Sequence, residues 1–419
     1  MDQNELPGLY AAETDRFRLD DLFFSRTDER GVITSGNVAL HEASAYAWPE
    51  LVGKPHKIMR HPDMPTGVFH LLWDMLKSGE SVGGYVLNQA QDGACFWVFV
   101  VMTPTESGFL SVHLKPTSDL LEAIRPIYER LRLAEMAGTH NAEQSAADLI
   151  EAIKEMGFDD YRHFMSDALT RELDSRTEAL GAKQARVMRS FEAITKSVGY
   201  IEKAGTKVAS LFSRTEQIPY NMRLQAGRLE GSDGPISVIS ENHRQMSQSL
   251  TASVGDFRSA AALGAEPVRD AVFEIGATTI FSEVIDQLAH ETGMSAAEKA
   301  KDHNTLIAAK AEFTRLARKE VSDVALKVTQ FSRMCKDMRR MLSGLEMTRI
   351  MCKIERSKAS GDTEGLDEIV HRLLMAEQDI GEVMTEIENS IRDILDASER
   401  LVRSELTTVK IADVQRLSA

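Results

Sequence analysis

Proline and tryptophan are confined in a way that divides this chain into two kinds of polypeptide. No proline occurs between Pro126 and Pro219, none follows Pro267, and the tryptophans stand at Trp48, Trp73 and Trp97. Proline removes a backbone donor and clashes with the preceding turn, so long proline-free stretches rich in Ala, Glu, Lys, Leu and Met read as long helices. A mixed front part is followed by an all-helical remainder. The 419 residues suggest two or three structural units. The expected organisation is a flexible segment over 1–14, a compact domain over 15–118 and a connecting helix over 119–140. A helical hairpin over 141–262, with its tip near 231–235, and a further bundle or coiled coil over 263–419 complete it.

The front part carries strand signals. Gly31-Val-Ile-Thr-Ser follows the turn residues Asp28-Glu29-Arg30, and Tyr85-Val-Leu-Asn-Gln precedes the hairpin signal Gln91-Asp-Gly93. Cys95–Met102 is apolar and β-rich, and Gly108–Leu114 reads as a further strand. Gly67–Leu76 places Val68, Leu71, Leu72 and Leu76 on one helical face. This order predicts a small antiparallel sheet with helices on one face. Residues 119–135 predict an exit helix, bent or broken near Pro126.

Beyond residue 141 the periodicity is helical. Val187, Phe191, Ile194, Val198, Ile201, Gly205, Val208 and Phe212 alternate spacings of four and three, an a/d seam. Ile380, Met384, Ile387, Ile391, Ile394, Ser398 and Leu401 repeat it. Such narrow stripes need partner helices, so a homodimer or higher oligomer is expected. Breaks are predicted at Gly231-Ser-Asp-Gly-Pro235, at Gly264-Ala-Glu-Pro267 and at Ser357–Gly365.

Charge and composition exclude several classes. A net charge of −15 argues against general nucleic-acid binding and against an anionic membrane surface. No apolar run reaches the roughly 18 residues of a membrane span. The N-terminus lacks the pattern of a signal peptide, and Cys95, Cys335 and Cys352 form no CxxC pair. A soluble, cytoplasmic protein is expected. There is no GxxxxGK[ST], GxGxxG or GxSxG motif. His41-Glu42 and His290-Glu291 begin like HExxH without a second histidine. Catalytic residues and a metal site are therefore not expected, and the methionines around Cys335 and Cys352 read as helical core.

The densest cluster of unusual residues is Gly53-Lys-Pro-His-Lys-Ile-Met-Arg-His-Pro-Asp-Met-Pro65, where two prolines fix a non-helical loop. Together with Ser25–Thr34, Asn37, Trp48–Gly53, Phe69, Trp73, Leu76–Glu80, Asn88, Asp92-Gly93, Phe96-Trp97 and Thr103-Pro104, it resembles a PAS domain of the bacterial aerotaxis-receptor type. The resemblance implies an α+β fold, a five-stranded antiparallel sheet with short helices, and a cavity holding FAD whose redox state reports oxygen or electron transport. By position it implies cofactor contacts at Asn37, Arg60, His61, Asp63, Phe69, Trp73, Asn88, Phe96 and Trp97. An Asn amide can match the pyrimidine edge of a flavin, and an Arg can neutralise phosphate or the reduced ring. Val82 stands where that family carries an aromatic residue, and Gln89–Asp92 where it carries a basic hairpin. Related PAS domains hold haem b through a histidine, for which His56, His61, His70 and His113 are available, or nothing.

Ile218–Arg228 and Ile236–Arg244, flanking the glycine-rich turn, resemble a degenerate signalling tip of methyl-accepting chemoreceptors. That implies contacts to a chemotaxis coupling protein or histidine kinase through Asn221, Arg228, Glu230, Glu241 and Arg244. The expected whole is a PAS sensor relaying a cofactor change through the exit helix to helical coils. The alternative is a non-enzymatic assembly scaffold whose PAS domain only dimerises.

Overall fold

The computed structural model describes residues 16–181, 186–215, 217–229, 234–292, 294–358 and 364–401. Five strands, β1 (Phe23–Thr27), β2 (Ile33–Gly36), β3 (Val82–Gln89), β4 (Cys95–Thr105) and β5 (Gly108–Leu114), form one sheet in the order β2-β1-β5-β4-β3. Every pairing is antiparallel. Between β2 and β3 run α1 (Val38–Ser44), α2 (Trp48–Leu51), a 3-10 turn (His56–Met59) and α3 (Thr66–Lys77). This is the five-stranded PAS architecture. Gly108, at φ +138, is obligatory at the turn into β5, because a Cβ there would meet the Thr27 carbonyl at 2.1 Å.

The helical remainder comprises α4 (Leu120–Met136), α5 (Ala142–Glu155), α6 (Tyr161–Ala179), α7 (Arg186–Ser213), α8 (Ile218–Leu229), α9 (Pro235–His290), α10 (Ala296–Lys358) and α11 (Glu364–Arg400). Among the described residues the chain forms two compact units. One contains residues 16–188 with 269–319, the other residues 189–268 with 320–401.

In the first unit the sheet is covered on both faces, not on one as the strand order predicts. β3 and β4 are buried at successive positions, so both sides of the pleat need cover. Tyr128 of α4 packs on Trp97, with centroids 6.1 Å apart, and Phe164 of α6 on Tyr85 at 6.3 Å. Phe273 of α9 closes over Gly83. Buried Glu172 of α6 accepts from the Tyr85 hydroxyl at 2.6 Å, the Ser118 hydroxyl at 2.6 Å and the Thr117 and Ser118 N–H groups. Helix α4 runs through Pro126 unbroken and lies against the sheet.

The ends of α9 and α10 also grip the front domain. Asp302 of α10 accepts from Ser35 at 2.7 Å and pairs with Arg26 at 3.2 Å, both charges buried. Arg176 of α6 makes a bidentate pair with Glu283 of α9 and donates to the carbonyls of Leu19 and Asp20. Gln287 bonds the N–H of Leu22 and the carbonyl of Asp20.

In the second unit both seams are buried where described. Ile194, Val198, Ile201, Val208 and Phe212 line α7, and Ile380, Met384, Ile387, Ile391 and Ile394 line α11. The side chains of Val187 and Phe191 lie outside the described set. A core joins Ile218, Met222 and Ala226 of α8 to Ile236 and Ile239 of α9, Cys352 of α10 and Leu366, Ile369 and Leu373 of α11. Met338 is core, but Met347 and Met351 are exposed, which narrows the expected methionine core. The break expected at Gly264–Pro267 is absent: α9 is continuous through Pro267. Burial of Val268, Ala271 and Phe273 just beyond it shows tertiary packing outweighing the one lost hydrogen bond. Of the predicted turn at 231–235, residues 230–233 lie outside the described residues.

Candidate functional site: a cavity beneath the sheet

A cavity of about 500 Å3 lies between the sheet and α3. The residue pattern builds it. Val86 and Asn88 of β3, Val100 and Met102 of β4 and His113 of β5 supply its floor, at alternate positions as a pleat requires. Phe69, Leu72 and Trp73, one turn apart on α3, supply the opposite wall. The proline-bracketed loop delivers Arg60 and the 3-10 turn delivers His56. An isolated antiparallel bridge ties Arg60 to Asn88, so loop and strand meet at the backbone.

The Arg60 guanidinium lies 4.0 Å from the Phe69 ring centroid and donates to the Met64 carbonyl at 3.0 Å. This stacking fixes a cation at the cavity wall. Burial lowers its pKa, opposed by Glu135. The exposed lining residues Arg30, Lys57 and Lys77 outnumber the acidic Asp74, so the mouth favours anions. His56 and His113 stack with ring centroids 5.9 Å apart, and His113 also stacks on Phe23 at 4.5 Å. Burial pushes His56 down to about 4 and His113 well below the usual range, so both rings are neutral at physiological pH. The Asn88 side-chain nitrogen and both His113 ring nitrogens are buried without a hydrogen-bond partner.

Of the nine cofactor contacts expected from the sequence, Arg60, Phe69, Trp73 and Asn88 line this cavity; the other five do not. Asn37 caps α1. Its side chain accepts from the N–H groups of Phe24 and Leu40 and donates to the Leu22 carbonyl. His61 accepts from the Asp63 N–H at 3.1 Å, its pKa lowered by burial against the pull of Asp63, and Asp63 stands 3.9 Å away. These two shape the loop that carries Arg60. Phe96 packs edge-on against Phe17 and Phe23. Trp97 faces the opposite side of the sheet, under Tyr128 and Arg125. The strand parity of 96 and 97 relative to Asn88 separates them in advance. His56, His70 and His113 line the cavity and were marked by the sequence only as haem candidates.

In the second unit, Glu241 and Arg244 form an ion pair on α9, with the Glu241 carboxyl held down to about 2 by Arg244. Arg228 is exposed, Asn221 half-buried, and Glu230 lies outside the described residues.

Over 117 residues the chain is 35% identical to the aerotaxis receptor of Escherichia coli (strain K12), a stretch covering 27% of this chain and 23% of that receptor. The chain thus spans about a quarter of the length of the curated relative it matches. Among solved structures, the PAS domain of a Colwellia psychrerythraea protein matches at 20% identity, covering 23% of this chain and 86% of that one, with a TM-score of 0.20. The LOV domain of the blue-light activated histidine kinase of Erythrobacter litoralis EL346 matches at 19% identity, covering 22% and 90%, also with a TM-score of 0.20. No family model matches the chain. The sheet order and the intervening helices define the front module as a PAS domain, of the class found in signal-transduction sensors. More narrowly, it is a PAS domain of the aerotaxis-receptor type, followed by a long helical region. No described helix is long and apolar enough to cross a membrane.

Proposed function

We propose that this chain is a cytoplasmic, non-enzymatic sensor of redox or oxygen status. It would hold FAD in the PAS cavity, act as a homodimer, and pass the cofactor's state through its helices to a chemotaxis-type coupling protein or histidine kinase. The single observation that supports this best is the cavity, which gathers Arg60, Phe69, Trp73 and Asn88 around one apolar slot. Its volume is within the range that buries a planar organic ligand. The unpartnered Asn88 nitrogen supplies a donor for a ring carbonyl, and Trp73 and Phe69 supply the aromatic wall. Arg60 supplies a fixed positive charge, and Arg30, Lys57 and Lys77 suit a phosphate-bearing tail. Bound FAD would supply a ring that takes up electrons; the residues named here bind and orient it.

Relay is drawn through β1 as well as through the exit helix. His56 on the cavity wall bonds the Ser25 hydroxyl at 3.0 Å, and the next residue, Arg26, pairs with Asp302 of α10. A shift of the cavity wall therefore bears on a buried ionic contact at the start of a long helix. Arg228, Glu241 and Arg244, with Asn221 and Glu230, are the proposed partner contacts.

Absorbance of the purified full chain, as isolated and after incubation with FAD, tests the proposal. Flavin bands that are lost in Arg60→Ala and Asn88→Ala while the fold persists support it. A haem Soret band would assign haem b instead. No bands and no uptake, with assembly intact, would leave the assembly scaffold.

A further inference from the structure

Where described, the two heptad seams are buried within the chain, so neither is left to join copies. The end of α10 is different. Leu345, Thr348 and Cys352 are buried, while Met347, Ile350, Met351 and Ile354 are 57%, 38%, 42% and 48% exposed. Their spacing of i, i+3, i+4 and i+7 makes one stripe, and at roughly 100° per residue it lies on the side of the helix opposite the buried one. A helix apolar on both sides is the pattern of one covered on both sides. Methionine suits such a surface, because its flexible thioether adapts to what packs on it.

Charge selects what covers it. Residues 333–358 hold eight basic and three acidic side chains, net +5 within a chain of net −15. Lys336, Arg340 and Lys353 are exposed along the stripe. Helix α11 lies antiparallel beside α10, held by the pairs Arg339–Glu388, Arg349–Glu377 and Arg356–Asp367. Residues 364–400 hold eleven acidic and three basic side chains, net −8. Opposite its buried Leu366, Leu373 and Ile380, α11 exposes Glu368, Asp379 and Glu382 around exposed Met375. An anionic membrane or a nucleic acid would meet this acidic face beside the basic one and be repelled. Stripe against stripe would oppose like charges. A second copy of the hairpin, related by a two-fold axis, sets each basic apolar stripe against an acidic face and satisfies both at once.

We propose that the outer side of the α10–α11 hairpin is the self-association surface of this chain: the stripe Met347, Ile350, Met351 and Ile354 of one copy packs on the acidic face around Met375 of a second copy, and reciprocally. This rests on the homodimer reading and names its surface. The apolar stripe supplies the buried centre of the contact, and the flanking charges fix its register and exclude the like-on-like arrangement.

Sedimentation of the full chain tests this, with a dimer expected at twice the 46.6 kDa of one chain. Met351→Glu puts a charge into the centre of the stripe and should weaken the dimer at least about tenfold. Two charge reversals separate the proposed pairing from any other. Lys336→Glu/Lys353→Glu makes both reciprocal contacts of a homodimer acidic on acidic, and Asp379→Lys/Glu382→Lys makes both basic on basic. Each variant alone should lose about tenfold or more in dimer affinity. Mixed in equal amounts they should form a heterodimer within about threefold of wild-type affinity, because one contact is then native and the other is the native pair with its signs exchanged. Recovery on mixing also shows that both variants are folded. A wild-type dimer that all three variants leave unchanged, or reversals that do not rescue one another, overturns this surface and leaves the homodimer reading standing. A monomeric wild type overturns the homodimer reading first, and this inference with it.

Discussion

Removing the carboxylate of Asp302 tests how the front domain is fastened to α10. The Arg26 and Asp302 side chains are 7% and 1% exposed. At an effective dielectric near ~20, charges 3.2 Å apart attract by about 5 kcal/mol. Desolvation opposes this with several kcal/mol per ion, and burial indeed raises the Asp302 pKa despite the Ser35 hydrogen bond and Arg26. The pair is near break-even as a whole, but a lone member is expensive. Asp302→Ala strands the Arg26 guanidinium with only the Ser35 hydroxyl, 3.1 Å from its Nε. The expected loss is about 3–5 kcal/mol. The double variant Arg26→Met/Asp302→Leu should return to within about 1–2 kcal/mol of wild type, because neither charge is stranded. Urea unfolding followed by tryptophan fluorescence reads the relevant unit, since Trp48, Trp73 and Trp97 all belong to it. A single variant that loses less than about 1 kcal/mol, or a double variant no better than the single, would refute this account.

Other perturbations follow the same logic. Glu172→Ala strands the Tyr85 and Ser118 donors and should cost about 3 kcal/mol, with Glu172→Gln intermediate, by the same fluorescence assay. Gly67→Ala drives a methyl to 2.5 Å from the Ala146 nitrogen, so α3 and α5 must part. A loss of about 1–3 kcal/mol is expected, seen as a lowered urea midpoint. The folded-state pKa of His56 is about 4, below the ordinary 6.5, so the folded state binds fewer protons between those values. Stability should therefore fall as pH drops from 6.5 towards 4, and His56→Asn should flatten that slope in urea titrations at stepped pH.

Strands β2 to β5, α3, the Arg60 loop and both helical seams were legible because each obeys one periodicity or one piece of turn chemistry. Strand β1 was not legible from its pattern. Phe-Phe-Ser-Arg-Thr is buried at every position, yet two of its polar side chains are met by Ser35 of the neighbouring strand and by His56 and Asp302 from farther along the chain. The cover on the outer sheet face was hidden for the same reason, since its helices come from residues beyond 119 and around 273. Pro267 misled because helix breaking is a local rule, and the packing that overrides it is not local. Of the nine contacts implied by family resemblance, four line the cavity; strand parity, applied to Phe96 and Trp97, would have removed Trp97. His113 was marked in the sequence as a haem candidate, and its unbonded state is a property of the folded neighbourhood.

Glu135 bears on where the PAS module ends. Helix α3, which carries Phe69 and Trp73, starts after Pro65 with no side-chain cap of its own. Its first free N–H groups, on Thr66 and Gly67, donate at 2.8 and 3.0 Å to the carboxylate of Glu135, near the end of α4. Burial pulls that carboxyl's pKa up, but the hydrogen bonds it accepts, that from the Thr66 N–H foremost, together outweigh burial and lower it. A fragment cut after the last strand would thus retain all five strands and lose the anion that anchors the wall opposite them. Ligand titrations on such a truncated piece would report a slackened slot, and the smallest faithful specimen for spectroscopy extends through α4 and its neighbours.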